Sequence, residues 1–407
     1  MDEPFSNTAD LKQDLANGEN DNSNSIQSKK KLTIIIIFVI ILLLVIGLFV
    51  LVFFLLNIND NSKSKSDKDS NKDNNSDPAP IPIDNLTISR GISCIYYVED
   101  INSKTPLLSK DFQNKNNSIV EIYINNETIP YTKEYSFPEI GNYTIHFILN
   151  SDVNMDYMFK EINNIIEAKI IAKSIINIVS MKSVFEGCSN LINVNISDLN
   201  FYTKKVSDMS GMFKGCKSLV YLDLSSLNTS NVKKMTNMFN HCESLTSIDL
   251  EYFNTQNVDD MAYMFSNLYN LTFISITSFD TINVKNMEYM FHNDYIIEDI
   301  DVSNFKTENV EKMNGMFWNC YNITYIYTLY FNTEKVTSFD YTFANCTHLE
   351  ILDLCSFHTV NCKSFEEMFS GCHLMIVEID DEKIDRNLLD VILHSDVNIR
   401  FLPNGPI

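Results

Sequence analysis

A fixed period of 26 residues, running through the last two thirds of the chain, is the strongest constraint on its fold. One phenylalanine per copy marks the period, and the successive steps are 26, 28, 26, 26, 26, 26, 26 and 26 residues. These residues are Phe159, Phe185, Phe213, Phe239, Phe265, Phe291, Phe317, Phe343 and Phe369. A period in this range predicts a solenoid, in which each unit buries its apolar face by stacking on its neighbours.

Composition bounds the class of protein. The 407 residues are 45% hydrophobic and 12% aromatic, which is enough to pack a sizeable core. The formal net charge of −22 argues against nucleic acid as a partner, because there is no excess of Lys and Arg to replace counterions on phosphates.

The N-terminal region predicts a membrane anchor. Residues 1–31 are expected to form a disordered cytosolic tail, followed by an uncharged apolar run of 25 residues, Leu32 to Leu56. About 20 such residues cross a bilayer as a helix, whereas a signal peptide has a shorter apolar core and a small-residue cleavage site. Lys29, Lys30 and Lys31 precede the run, so the positive-inside rule predicts a single-pass type II protein with an extracellular C-terminus.

Asn-x-Ser/Thr sequons agree with this orientation, because none precedes the apolar run. Chance is the alternative explanation, since the chain is rich in asparagine. The candidate glycosylation sites are Asn74, Asn85, Asn116, Asn126, Asn142, Asn195, Asn228, Asn270, Asn322 and Asn345.

Two further segments precede the repeats. Residues 57–88 are rich in Ser, Asn, Lys and Asp and then in Pro, which indicates a solvated stalk. Residues 89–150 show alternating hydrophobicity, which predicts a small antiparallel β module. The alternating runs are Ile92, Cys94, Tyr96, Val98; Val120, Ile122, Ile124; and Tyr143, Ile145, Phe147, Leu149.

One copy of the repeat, Val232 to Val258, contains two different spacings. Apolar residues three or four apart, from Val232 to Leu245, predict a short helix or successive 3₁₀ turns. Leu245, Ile248 and Leu250 then indicate a short strand. The expected fold class is therefore α/β, a leucine-rich-repeat solenoid over residues 151–379 with parallel strands on one wall and short helices on the other.

The string M-F-x-x-C-x-S-L-x-x-x-D-L-x-x-x-N-T-x-N-V-x-x-M occurs in Met212 to Met235 and in Met238 to Met261. It resembles the BspA-like leucine-rich-repeat surface proteins, over roughly Met155 to Ile379. The resemblance implies a surface-displayed, non-enzymatic adhesin or binding protein. The chain departs from many leucine-rich repeats because aromatic residues replace their ladder asparagine.

That replacement predicts a stacked spine, with Asn228, Asn254 and Asn332 bonding the adjacent turn. The spine positions are Leu227, Phe253, Phe279, Phe305, Phe331 and Phe357. The copies at both ends are degenerate, as capping requires, and residues 380–407 are expected to form a C-terminal cap. Within it Leu388, Leu389, Ile392 and Leu393 predict a helix.

Six cysteines share one slot of the repeat, where Leu268 and Asp294 replace them in two copies. They are Cys188, Cys216, Cys242, Cys320, Cys346 and Cys372. Buried core residues are favoured over a metal or disulfide ladder, because all would point inward. Two other cysteines lie outside this slot: Cys355, which is expected on the exposed strand face, and Cys362. That pair, or either one with Cys94, is the best candidate disulfide.

No catalytic, cofactor-binding or metal-binding set is predicted. The seven histidines fall at different phases of the repeat, although Cys346 with His348, or Cys372 with His373, could in principle bind a metal. Asp299 and Asp301 resemble the Asp-x-Asp of metal-dependent glycosyltransferases. In register, however, both are ordinary outward positions of one strand.

The outward strand face is the candidate ligand-binding surface, because exposed aromatic residues among aspartates can provide anchors and charge selectivity. The alternative is that Asp is repeat consensus and the aromatics pack on each other. The candidate residues are Tyr221, Asp223, Asp249, Phe273, Asp299, Asp301, Tyr325, Tyr327 and Asp353.

Together these features predict a membrane-anchored cell-surface protein, not an enzyme. Its expected role is adhesion, through a protein or glycan ligand on another cell or matrix. A lumenal glycan-modifying type II enzyme and a passive surface-coat component remain alternatives.

Overall fold

A computed structural model describes residues 88–172, 177–196, 203–373, 375–380 and 386–402. The predicted tail, the transmembrane segment 32–56 and the stalk up to residue 87 lie outside these residues. Within the described ranges, no helix has the length and apolar character needed to cross a membrane. All the described residues belong to one compact unit.

The predicted β module is present as antiparallel strands. The longest pair is β1 (Arg90–Val98) with β6 (Gly141–Leu149), and β3 (Ile119–Ile124) extends the sheet from β6 to β4 (Glu127–Ile129). Two short strands, β2 (Thr105–Pro106) and β5 (Glu134–Tyr135), pair separately, and a 3₁₀ turn spans Lys115–Asn117. Val120 is exposed, contrary to the alternation, because the register shifts between Ile119 and Glu121.

The β module continues directly into the repeats. Strand β1 also pairs antiparallel with β8 (Ile165–Ala172), and β10 (Asn193–Asn195) and β11 (Tyr221–Leu222) follow β8 in parallel. The boundary expected near residue 150 is therefore crossed by one seven-stranded sheet.

Parallel strands of two to five residues form one wall of a solenoid. One such strand occurs in most coils, beginning with β10, which lies beside the longer β8. Strands β7 (Asp152–Asn154) and β9 (Asn177–Ser180) pair with each other in a separate two-stranded sheet. The remaining strands are β12 (Ser247–Asp249), β13 (Phe273–Ser275), β14 (Tyr325–Ile326), β15 (Ile351–Asp353), β16 (Ile376–Asp380) and β17 (Asn398–Leu402). Each pairs in register with its neighbour within sheets of two and four strands.

The opposite wall consists of tight turns, so the predicted short helices, and with them the α/β class, are wrong. Two residues of each coil, four apart, have left-handed backbone; Asn237 and His241 have φ of 59° and 61°. A right-handed helix requires negative φ throughout, so it cannot contain these residues. Turns such as Met238 N–H to Met235 C=O give the same apolar spacing as a helix. Within the described repeats the architecture is therefore a β-solenoid.

We call the turn-rich side the turn wall, defined in the copy Val232 to Val258 by residues 235–241. Alternate N–H groups of each coil donate to carbonyls of the next coil, as from Asn237 to Ala262 and from Phe239 to Met264. Three or four such bonds of 2.6–3.2 Å join every successive pair of coils from Met155 to Ser370. All of them run in the same direction along the stack.

The nine marker phenylalanines form a continuous ladder in the core. Consecutive rings from Phe159 to Phe369 are stacked, with centroids 5.4–6.1 Å apart. The predicted second spine is confirmed in part: Phe279 stacks on Phe305 and Phe331 on Phe357. The side chains of Asn228, Asn254 and Asn332 accept backbone N–H groups two residues on, as expected.

Helix α1 (Arg386–Leu393) closes the C-terminal end of the core, as predicted, with Leu388 and Ile392 buried. Leu393, expected on its apolar face, is exposed. Strand β17 follows and covers the edge of β16.

Shortening one ring of the ladder should destabilise the solenoid strongly. We expect Phe265→Ala to lower the free energy of unfolding by about 3–5 kcal/mol, because the ring is fully buried between two stacked neighbours and leaves a cavity. Tyr252→Ala, which removes an exposed ring, should change it by less than about 0.5 kcal/mol. Chemical denaturation of both variants checks this, and equal losses would contradict the central role of the ladder.

Candidate binding surface

The strand wall presents aromatic side chains to solvent in one column. Tyr221, Phe273 and Tyr325 are 65%, 57% and 37% exposed. Tyr221, Phe273 and Tyr325 are 52 residues apart, two repeat periods, so they occupy the same position of their coils. Within the separate sheets, that position lies beside Asn193, Ser247 and Ile351 respectively. The predicted placement of these aromatics on the outward face is therefore observed.

Tyr327 extends the surface into the neighbouring column. Its ring, 45% exposed, meets that of Tyr325 edge to face with centroids 4.5 Å apart. Desolvation, with the nearby Asp353 carboxylate second, raises the pKa of Tyr325. The Tyr325 hydroxyl therefore keeps its proton, and the two rings together combine apolar area with two hydroxyl groups.

The aspartates of the strand wall shape the following turn. Oδ1 of Asp223, Asp249 and Asp301 accepts the backbone N–H two residues later, at about the same distance of 3.0 Å in each case. Hydrogen bonds from the side chain and then the backbone of Ser225 lower the pKa of Asp223. The three carboxylates are therefore held in place by the turn that they stabilise.

The other two predicted aspartates differ from this group. Asp299 is exposed and forms an isolated parallel bridge with Tyr325. Asp353 is only 8% exposed, contrary to the prediction of an outward position, and its Oδ1 accepts the Cys355 N–H. Asp353 is therefore a poor candidate for direct ligand contact.

Two exposed tyrosines were missed by the sequence reasoning. Tyr252 and Tyr330 are 69% and 71% exposed, and each directly precedes a spine phenylalanine in the turn after the strand. The sequence did contain a signal for them: a residue that directly precedes an inward-facing phenylalanine, here Phe253 or Phe331, is expected to face outward. They enlarge the apolar part of this side of the solenoid.

The six slot cysteines are buried thiols, which confirms the prediction of core residues. Each Sγ donates to the carbonyl of the marker phenylalanine one coil earlier, for example Cys242 to Phe213 O at 3.1 Å. Burial raises the pKa of Cys372 to about 11. These thiols therefore remain protonated and unreactive.

The candidate disulfide is not formed in the structure. Cys355, Cys362 and Cys94 all remain thiols. The expectation that Cys355 lies on the exposed face is wrong: it is buried, because the turn that begins at Asp353 draws it inward. Cys362 is half-buried, and its Sγ donates to Ser364 O.

Among the described residues, no group of three or more His, Cys, Asp or Glu side chains is placed to hold a metal ion. His348 Nδ1 lies 2.7 Å from Tyr321 O, so that nitrogen bonds the backbone of the preceding coil. His292, half-buried between Tyr289 and Trp318, has its pKa lowered to about 4 by desolvation. Ser266 Oγ lies 3.3 Å from this imidazole but is fully buried.

Three sequon asparagines use their side chains in the fold. Asn270 Nδ2 donates to Glu243 O, and Asn228 Oδ1 bonds Ser230. Asn345 Nδ2 donates to Asn319 Oδ1. Asn126 and Asn142 are exposed in the β module, and Asn195 is exposed on the strand wall. Asn74 and Asn85 lie outside the described residues.

Asp294 is a charged residue type in an apolar slot. It is fully buried, and its Oδ1 accepts the Leu268 N–H at 2.9 Å, while its Oδ2 has no partner in the described part of the chain. Desolvation raises its pKa well above the usual value. The carboxyl group therefore retains its proton in the folded state at a pH where the unfolded chain has lost it.

The family described as "Mycoplasma protein of unknown function, DUF285" has a sequence model that matches residues 153–272, 241–328 and 298–387. These overlapping matches span more than half of the chain and coincide with the coils. No curated protein was found to match.

Replacing the ionisable side chain of Asp294 should remove a pH dependence of stability. The native state binds one more proton than the unfolded state above about pH 4, so stability falls as the pH rises, by up to about 1.4 kcal/mol per unit. We expect Asp294→Asn, which keeps the acceptor for Leu268, to gain an increasing advantage over the original chain between pH 4 and 7. Chemical denaturation of both chains across this pH range checks the prediction, with the change Asp299→Asn at an exposed position as control. If the free energies of unfolding of the Asp294→Asn variant and the original chain change in parallel with pH, the prediction is contradicted.

Proposed function

We propose a binding function for this chain, which belongs to the DUF285 family: its solenoid acts as a rigid scaffold that holds a protein or glycan ligand against the strand wall. One observation carries the proposal: Tyr221, Phe273 and Tyr325 are exposed at the same position of their coils, on a wall whose core is complete without them. Aromatic residues supply much of the binding energy at interfaces because they bury large areas with little loss of conformational freedom.

The division of residues within each coil supports the proposal. Inward positions form the phenylalanine ladder and the thiol contacts, and the aspartates fix the turns. The exposed aromatic rings of Tyr221, Phe273 and Tyr325 are not part of that framework, and Tyr325 meets Tyr327 edge to face at the surface. The family is consistent with a BspA-like repeat protein, and by that resemblance we propose a role in surface adhesion and no catalytic reaction.

Loss of the aromatic column should abolish binding without unfolding. We expect Tyr221→Ser, Phe273→Ser and Tyr325→Ser together to eliminate retention of the purified protein on arrays of glycans and cell-surface proteins, while the thermal midpoint stays nearly unchanged. The paired change Lys335→Ser and Glu311→Ser, at exposed positions away from the column, is the control. Binding that survives the triple change, or an original chain that binds nothing on the arrays, would refute the assignment of this face.

The proposed location is the cell surface, with the C-terminus outside. This rests on the apolar run at Leu32–Leu56 and its basic N-terminal flank. An epitope added at the C-terminus of the full chain should label on intact cells, whereas one at the N-terminus should label only after permeabilisation. Golgi retention of both epitopes would instead favour the glycan-modifying enzyme.

A further inference from the structure

Among the described residues, the turn wall ends in a row of backbone N–H groups that have no acceptor. In the last coil the N–H groups of Phe365, Glu367, Phe369 and Gly371 occupy the positions that, one coil earlier, donate across the stack. Those earlier donors are Phe339, Tyr341, Phe343 and Asn345, which bond the carbonyls of residues 364, 366, 368 and 370. No acceptor for the last row lies within hydrogen-bonding distance in the described part of the chain.

Helix α1 and strand β17, the parts of the C-terminal cap that the structure describes from residue 386 to 402, leave this row open. Helix α1 covers the core through Leu388 and Ile392, and β17 covers the strand wall. An open cavity of about 460 Å³ remains between the row and the end of α1, lined by Glu367, Gly371, His373, Val391, His394 and Asp396 among others. Unsatisfied N–H groups beside such a groove favour a ligand that supplies acceptors.

A second copy of the chain does not fit the row through its complementary edge. The carbonyls of residues 154–160 in the first coil would be that edge, but the β module packs against this coil. Ser109 N–H donates to Met158 O at 3.0 Å, Lys160 pairs with Asp111 at 3.2 Å, and the ring of Phe147 packs on Phe159. Head-to-tail stacking of copies is therefore blocked by the chain itself.

A small anion is also disfavoured. Successive N–H groups with alternating backbone handedness commonly bind phosphate. Here the carboxylates of Glu367 and Asp396 line the same groove, and Glu366 is exposed beside it. A free anion would meet their repulsion, whereas peptide carbonyls accept hydrogen bonds without net charge.

We propose that this row binds an extended basic segment of a partner protein, which adds to the turn wall as an edge strand. An extended chain turns every second carbonyl to the same side, matching donors on every second residue from Phe365 to Gly371. Lysine or arginine side chains of the segment would pair with Glu367 and Asp396. This site lies on the wall opposite the aromatic column and is independent of the function proposed above.

The test uses amide hydrogen exchange in the full chain with a defined probe, an end-blocked octapeptide of alternating lysine and valine. In the free protein the four amides should exchange roughly 100-fold faster than their counterparts Phe339, Tyr341, Phe343 and Asn345. Adding the peptide should slow them. An octapeptide with the same order of residues but with D-valine cannot align its carbonyls with the four donors, so it should not slow their exchange.

Charge reversal supplies the second measurement. The double change Glu367→Lys and Asp396→Lys should lower the affinity for the octapeptide roughly tenfold, which is the effect expected for the loss of two partly exposed ion pairs. Glu334→Lys with Asp259→Lys, at exposed positions on other coils, should leave it unchanged. The proposal is overturned if the octapeptide fails to bind or leaves the four amides unprotected. It is equally overturned if inorganic phosphate, or dimer formation in sedimentation experiments, protects them instead.

Discussion

The solenoid depends on hydrogen bonds that cross the turn wall from each coil to the next. The paired strands of the strand wall are interrupted between β11 and β12 and again between β13 and β14. At the second interruption an isolated bridge joins Asp299 to Tyr325, and Thr324 donates to Glu298 O. The turn wall keeps three or four bonds at every junction from Met155 to Ser370. Continuity along the stack therefore comes from the turns, which hold successive phenylalanine rings at stacking distance.

The direction of these bonds follows from local backbone geometry. A left-handed residue at every fourth position, such as Tyr263 and then Asn267, turns alternate N–H groups toward the following coil and the carbonyls toward the preceding one. The peptide dipoles of one wall therefore add instead of alternating as they do in a sheet. The two ends of the wall become chemically different, one exposing acceptors and the other donors. The β module packs against the acceptor end, where the Ser109 N–H donates to Met158 O.

The sequence predicted the period, the β module, the strands, the buried cysteine slot and the capping helix, because these depend on spacing and side-chain polarity. It did not distinguish a helix from a chain of turns, since both place Val232, Met235 and Met238 on one side. The difference lies in the positive φ of Asn237 and His241, and that slot also accepts Tyr, Ser, Glu and Gly in other coils. Burial of Asp353 and Cys355 was also missed, because it follows from a turn contact.

A continuous turn wall changes what the strand wall can do. Its strands are two or three residues long in the central coils, and only their middle residue, such as Ile248 or Ile274, packs inside. The residues on either side can vary with little cost, since register is held from the opposite wall. Asp294 shows the same tolerance in the core: one unfavourable slot persists because its coil is stabilised by both neighbours. An array held in this way can change its outer residues coil by coil while its framework stays constant.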